Sequence, residues 1–131
     1  MIMLYWNVRG FGNSDTKVAL KNLYLSYKPL FIFWVEPMIS FSHVPSWYWH
    51  NIGVTKSCLN NRGHLLPNLW ALLGDEVQAI VIFGSDQCIA LEVTCQQSSV
   101  YIAAVYANTS YLNRRQLWAD LTQSALPSEF Q

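Results

Sequence analysis

MIMLYWNVRGFGN (1–13) and KPLFIFWVEP (28–37) decide how this chain folds. Each is a short apolar run closed by one polar residue, Asn7 in the first and Glu36 in the second. Gly10 and Gly12 follow the first run and Pro37 the second, so 2–7 and 30–35 read as strands buried on both faces. Between them, Asn13 or Ser14 caps a helix whose apolar positions Leu20, Leu23, Tyr24 and Tyr27 follow the i, i+3, i+4, i+7 rule. Lys28 and Pro29 end it. Strand, helix, strand predicts a βαβ-like unit with its two strands parallel and side by side. Their C-terminal ends then coincide, and Asn7 and Glu36 emerge together at the rim where α/β sheets place ligands. Each residue has a second explanation. Asn tolerates turn geometry and can simply close a strand, and a carboxylate at a strand end can sit in solvent.

Further along, the signal weakens over 38–63, where Trp47, Trp49 and Ile52 alternate with Tyr48 and His50 and predict a strand. Four more apolar runs, 69–73, 77–83, 88–95 and 100–106, are separated by GDE, GSDQ and QQSS, turn compositions spaced for antiparallel hairpins. In 88–95 the residues Ile89, Leu91, Val93 and Cys95 share one face, and Ala90, Glu92 and Thr94 the other. Thr109 or Ser110 caps a last helix carrying Leu117, Trp118 and Leu121, and SALPSEFQ (124–131) has no periodicity. The fold class is therefore α/β, mixed with a strand-rich second part.

At 131 residues, 52% of them hydrophobic, the chain suffices for a single domain over 1–131 with a real core. Eight basic residues balance eight acidic ones, so no net field draws the chain to nucleic acid or an anionic membrane, and any nucleic-acid contact must be local. With 12% charged residues and six Trp, the surface is short of charge, which suits a piece of something larger. Three cysteines without C-x-x-C spacing read as reduced, buried thiols of an intracellular protein, nuclear or cytoplasmic. MIMLYW lacks a basic leader and is interrupted by Asn7 and Arg9, so it reads as neither a signal peptide nor a membrane anchor.

Elimination narrows the chemistry. Asp15, Asp75, Glu76, Asp86, Glu92, Asp120 and Glu129 fall in helix starts, turns, an outward strand face, a helix surface and the tail, where solvent explains them. Glu36 follows six apolar residues, where a charge is costly unless it meets water, a cation or a metal. His43, His50 and His64 match no metal-ligand spacing. Arg114 and Arg115 suit a solvated helix face, with a DNA backbone as the other reading.

The order NVRGFGN, a helix with K-N-L, K-P-L-F-I-F-W-V-E-P, L-P-N-L-W, S-D-Q-C-I-A-L-E-V and A-A-V-Y-A-N-T-S-Y-L-N-R-R-Q-L-W-A-D-L resembles the amino-terminal half of the endonuclease/exonuclease/phosphatase superfamily. The likeness is to the apurinic-type endonuclease domain of plant LINE-type (non-LTR) retrotransposons, and it covers nearly the whole chain. What the resemblance implies is a partial four-layer α/β sandwich, two mostly antiparallel sheets flanked by helices, with a divalent metal at one end. It also implies that Asn7 orients the scissile phosphate and its metal, that Glu36 ligates Mg²⁺ or Mn²⁺, and that Tyr106 approaches the phosphate. Tyr106 has an apolar strand behind it, so a core or interface tyrosine is its other reading.

The family's later G-D-x-N and S-D-H motifs are not among these residues, and the domain reads as truncated. Leu30 stands where relatives commonly carry Asp. N-T-S follows Tyr106 and Ala107 where many have P-N, so Asn108 and Thr109 are weak candidates for gripping DNA. Two function classes follow. One is the first part of a Mg²⁺-dependent, DNA-nicking phosphodiesterase, catalytically incomplete alone, with weak or no metal binding in isolation. The other is a non-catalytic remnant that acts as a binding or interaction piece. DNA is the partner the resemblance implies, with self-association through exposed sheet edges and no membrane contact.

Overall fold

A computed structural model describes residues 3–10, 14–107 and 109–123. The βαβ start forms as the sequence predicts. Strand β1 (Met3–Asn7) leads to helix α1 (Ser14–Tyr27), which returns the chain to β2 (Phe31–Val35). The two strands pair in parallel with Tyr5 opposite Phe33 and Asn7 opposite Val35. A 3-10 turn (Phe41–His43), helix α2 (Ser46–Ile52) and strands β3 (Lys56–Leu59) and β4 (Leu69–Leu73) follow. The first sheet runs β1-β2-β4-β3, and β4 is antiparallel to both its neighbours. Strands β5 (Gln78–Gly84), β6 (Cys88–Cys95) and β7 (Ser98–Val105) form an antiparallel second sheet, and helix α3 (Tyr111–Gln123) closes the described chain.

Alternation along the strands builds four layers. Phe31, Phe33 and Val35 of β2 face Ile89, Leu91 and Val93 of β6 across the inter-sheet core. The intervening Ile32 and Trp34, with Trp70 and Leu72 of β4, face the other way onto Leu20 of α1 and Tyr48 and Trp49 of α2. On the outer face of the second sheet, Leu121 of α3 lines a small cavity with Ala90, Tyr101 and Ala103.

Several sequence expectations are corrected. Residues 47–52 are helical, because Pro45 presets the entry backbone and Gly53, at φ 83°, adopts the left-handed conformation that closes a helix. Helical spacing puts Tyr48, Trp49 and Ile52 on the packed side and sends Trp47 to solvent. GDE is not a hairpin. Both edges of β4 are already paired, so this turn carries the chain from one sheet to the other. Strand β3 goes unmarked in sequence because four residues are too few to show a period. β1 is not buried on both faces, since it is an edge strand with Met3 and Tyr5 about half exposed. Trp118 points to solvent while its neighbour Leu117 is buried. All three cysteines are free thiols, but only Cys88 is buried; Cys58 and Cys95 are partly exposed. The candidate cap Asn13 lies outside the described residues.

Trp34 and Trp70 are fully buried side by side in β2 and β4, so Trp70→Ala opens a large cavity. We expect a loss of ~3–5 kcal/mol, read by urea denaturation. Tyr48 gives a pH signature. Its hydroxyl donates to the Lys17 carbonyl at 2.7 Å, joining α2 to α1, and burial pushes its pKa up from 10.0 to about 12. The folded state thus keeps a proton that unfolded tyrosine releases near pH 10. Tyr48 therefore contributes fully below about pH 10, and the contribution fades as pH rises toward 12. Urea midpoints at pH 9 and 11 should fall more for the wild type than for Tyr48→Phe.

Candidate active site

The sheet end where β1, β2 and β7 stop carries the candidate residues. Asn7 is the last residue of β1 and exposed. It pairs with Val35, whose side chain points into the inter-sheet core, so Asn7 and Tyr5 lie on the face of the first sheet turned toward the second. The parallel ladder continues one step further, with the Val8 N–H donating to the Val35 carbonyl at 3.0 Å. The Gly10 N–H then donates to the Glu36 carbonyl at 2.7 Å. Gly10 sits at φ 116°, which only glycine adopts readily, and an added Cβ there would meet nothing within 4 Å. Its conformation, not crowding, demands glycine.

Glu36 leaves β2 in a left-handed conformation, φ 56°, and Arg9 and Met38 nearby are also left-handed. Such residues each cost on the order of 1–3 kcal/mol and persist only where the surroundings hold them. Here the Glu36 N–H donates to the Asn68 carbonyl at 2.9 Å while its own carbonyl accepts from Gly10. The carboxylate is thereby carried to the junction of the sheets. One of its oxygens, Oε1, accepts a hydrogen bond from the Tyr106 hydroxyl, and Oε2 lies 3.9 Å from Nε of Arg9.

Tyr106 follows β7 and continues its inner face after Ile102 and Ala104, packing against the inter-sheet core. Its N–H donates to the Gln87 carbonyl at 2.7 Å. One residue earlier, the Val105 carbonyl accepts from the Tyr5 hydroxyl at 2.9 Å. Burial, and then the Glu36 charge, raise the Tyr5 pKa above its usual value. Asn7, Glu36 and Tyr106, far apart in sequence, thus stand at one end of the two sheets, with Tyr5 among them.

The other candidates lie elsewhere. Thr109 is exposed, and its carbonyl accepts from Arg114 at 2.9 Å. Asn108 lies outside the described residues. His43, His50 and His64 are exposed, in the 3-10 turn, α2 and a loop. A concavity of about 590 Å³ lined by Trp47, Trp49, His50 and Lys56 follows α2 and β3, away from Glu36.

Asn60 was not singled out from sequence, yet it supports this rim. It is 2% exposed, and its Oδ1 accepts from the N–H groups of Asn68 and Leu69 at 3.1 and 3.0 Å. Its Nδ2 donates to Asn68 Oδ1 and, across to the second sheet, to the Ser85 carbonyl. An Asn following a short strand looks like any turn Asn, so only the partners reveal the role. Gln87 is similar. It is buried, and its amide donates to the Asn113 carbonyl at 2.7 Å, tying the start of α3 to the strand end beside Tyr106.

As donors for a metal, the Glu36 carboxylate and the Asn7 amide are hard oxygens that suit Mg²⁺ or Mn²⁺. Among the described residues no group of three or more His, Cys, Asp or Glu gathers to hold a metal. Two such donors would leave most of a hard cation's coordination positions to water.

No family model matches the chain, and no curated protein matches it in sequence. Solved structures do. The endonuclease domain of TRAS1, a telomere-specific non-LTR retrotransposon, superposes with a TM-score of 0.67 at 8% identity, over 95% of this chain and 54% of that one. The 3′ phosphatase NExo from Neisseria, bound to a product DNA hairpin, gives 0.61 at 18% identity, over 92% and 50%. A humanized D. rerio TDP2 gives 0.62 at 13% identity, over 92% and 56%. These are endonuclease/exonuclease/phosphatase folds, and this chain has that fold, as its sequence resemblance implies. It spans about half the length of the structures it matches.

Replacing Asn60 by Ala strands two backbone N–H groups and a carbonyl beneath the rim. We expect ~2–3 kcal/mol of lost stability in chemical denaturation, with Asn60→Asp intermediate because it keeps the acceptors.

Proposed function

We propose that the chain is part of a Mg²⁺- or Mn²⁺-dependent phosphodiesterase, a DNA-nicking endonuclease of the retrotransposon kind, working inside the cell in the nucleus or cytoplasm. The observation that carries this reading is the Tyr106 hydroxyl on the Glu36 carboxylate, which joins the ends of both sheets at a rim that also holds Asn7. Similarity to an endonuclease domain and to a DNA-bound 3′ phosphatase supports the substrate class.

Glu36 and Asn7 would hold the metal, which when bound supplies charge stabilisation to a phosphodiester oxygen. Tyr106 holds the Glu36 carboxylate through Oε1, and Oε2 lies beside Arg9. The exposed Asn7 amide can offer its oxygen to a cation or its NH₂ to a phosphate oxygen. Activating water and protonating the leaving oxygen require an acid or base. Among the described residues no imidazole or second carboxylate contacts Glu36 or Tyr106. On this reading the described residues offer donors for a metal and a phosphate, and the proton-handling groups are not among them.

The second reading, a non-catalytic binding module that self-associates, draws on the edge strand β1, whose Met3 and Tyr5 are exposed.

Calorimetry with Mg²⁺ or Mn²⁺ should show weak binding that Glu36→Gln abolishes, while supercoiled plasmid stays intact. Each missing general acid or base role removes about 10²- to 10⁴-fold in rate. Metal heat unchanged in Glu36→Gln would place the metal elsewhere. Nicking that depends on Glu36 would mean that a local group supplies the proton transfer.

A further inference from the structure

We infer that Arg9 is an exchangeable ligand of this rim: it neutralises Glu36 when no metal is bound and turns to a phosphodiester oxygen when a divalent cation takes the carboxylate. The inference rests on the reading of Glu36 as a metal ligand. Its starting point is an unequal pairing. Glu36 is three-quarters covered, its side chain 26% exposed, whereas that of Arg9 is 82% exposed. Contact is made through Nε at 3.9 Å, at the limit of an ion pair. The terminal nitrogens, which form the planar fork that matches phosphate oxygens, make no hydrogen bond among the described residues. A long, exposed, single-point pair is easily broken.

The backbone of Arg9 is held where the side chain is not. The N–H groups on either side, of Val8 and Gly10, bond to the Val35 and Glu36 carbonyls at 3.0 and 2.7 Å. Arg9 between them is forced to φ 48°, a conformation few arginines adopt. The guanidinium is thus tethered beside the carboxylate yet free to swing. Other arginines are engaged: Arg62 donates to the Leu66 carbonyl and Arg114 to the Thr109 carbonyl.

Charge decides the direction of exchange. A divalent cation on Glu36 reverses the sign of the field that holds Arg9, so the two cations repel at short range. The released fork remains beside the metal, where a bound phosphodiester presents its free oxygens. Metal binding then expels Arg9 from the carboxylate, and DNA binding gains it. One side chain lowers affinity for the metal and raises affinity for DNA.

The test reads both on the whole chain, by calorimetry with Mg²⁺ and by fluorescence anisotropy of a labelled DNA duplex at several salt concentrations in Mg²⁺. Arg9→Gln should tighten Mg²⁺ binding about two- to fivefold, the equivalent of one weak exposed ion pair. The same substitution should weaken DNA binding and reduce its salt slope by about one. Arg9→Lys, which keeps the charge without the fork, should return both values toward the wild type. Arg9→Gln that leaves both affinities unchanged, or moves them in the same direction, overturns the exchange, as does a wild type that binds no duplex at low salt. Glu36→Gln separates the failures. If Mg²⁺ heat survives in that variant, the metal reading of Glu36 falls; if it disappears while Arg9→Gln shows no opposed movement, only the exchange falls.

Discussion

The Tyr106 hydroxyl on the Glu36 carboxylate joins residues 70 positions apart and ties the end of one sheet to the end of the other. Glu36 follows five fully packed strand residues, so its charge stands at the border of the core and needs a donor. The donor comes from the end of β7, which requires the second sheet to lie over the first in one register. Tyr5 to Val105 and Asn60 to Ser85 tie the same end, each crossing from the first sheet to the second. The close-packed side chains between the sheets hold the core, and these directional bonds fasten its end.

The rim also gathers backbone conformations that a stable fold would avoid. Arg9, Glu36 and Met38 are left-handed non-glycine residues within two adjacent loops. The bonds of Val8, Gly10 and Glu36 to neighbouring carbonyls hold that arrangement. The strain lies beside a carboxylate three-quarters covered and an exposed amide, and it fixes the backbone that carries them. At the opposite end of the sheets Gly53 and Gly74 lie close together, and the turn at 74–77 carries the chain from one sheet to the other.

Much of this was legible along the chain. Polar residues closing apolar runs marked Asn7 and Glu36, and the strand-helix-strand spacing pointed to their strands lying side by side, as β1 and β2 do. The alternation in β6 identified its inner face correctly, with Ile89, Leu91 and Val93 in the core. Three features were illegible for physical reasons. Trp47, Tyr48, Trp49 and Ile52 are so closely spaced that period 2 and period 3.6 both find apolar partners, and Pro45 and Gly53 decided for a helix. Whether GDE turned back or crossed over depended on β4 already having two neighbours, which is a property of the sheet. Asn60 and Gln87 have ordinary loop sequences, and their importance lies in what the fold puts within 3 Å of them.

By itself, the sequence determined the local elements, the parallel start and the family likeness, because strand and helix periods, caps and strand-ending polar residues act over a few positions. It also determined that the chain lacks the net charge for long-range attraction to DNA. Only the tertiary structure decided that Tyr106 meets Glu36, that Tyr5 and Asn60 tie the two sheets, and that an exposed Arg9 stands 3.9 Å from the carboxylate. Those contacts span up to 100 residues and arise from the stacking of one sheet upon the other, a relation no periodicity within a strand records.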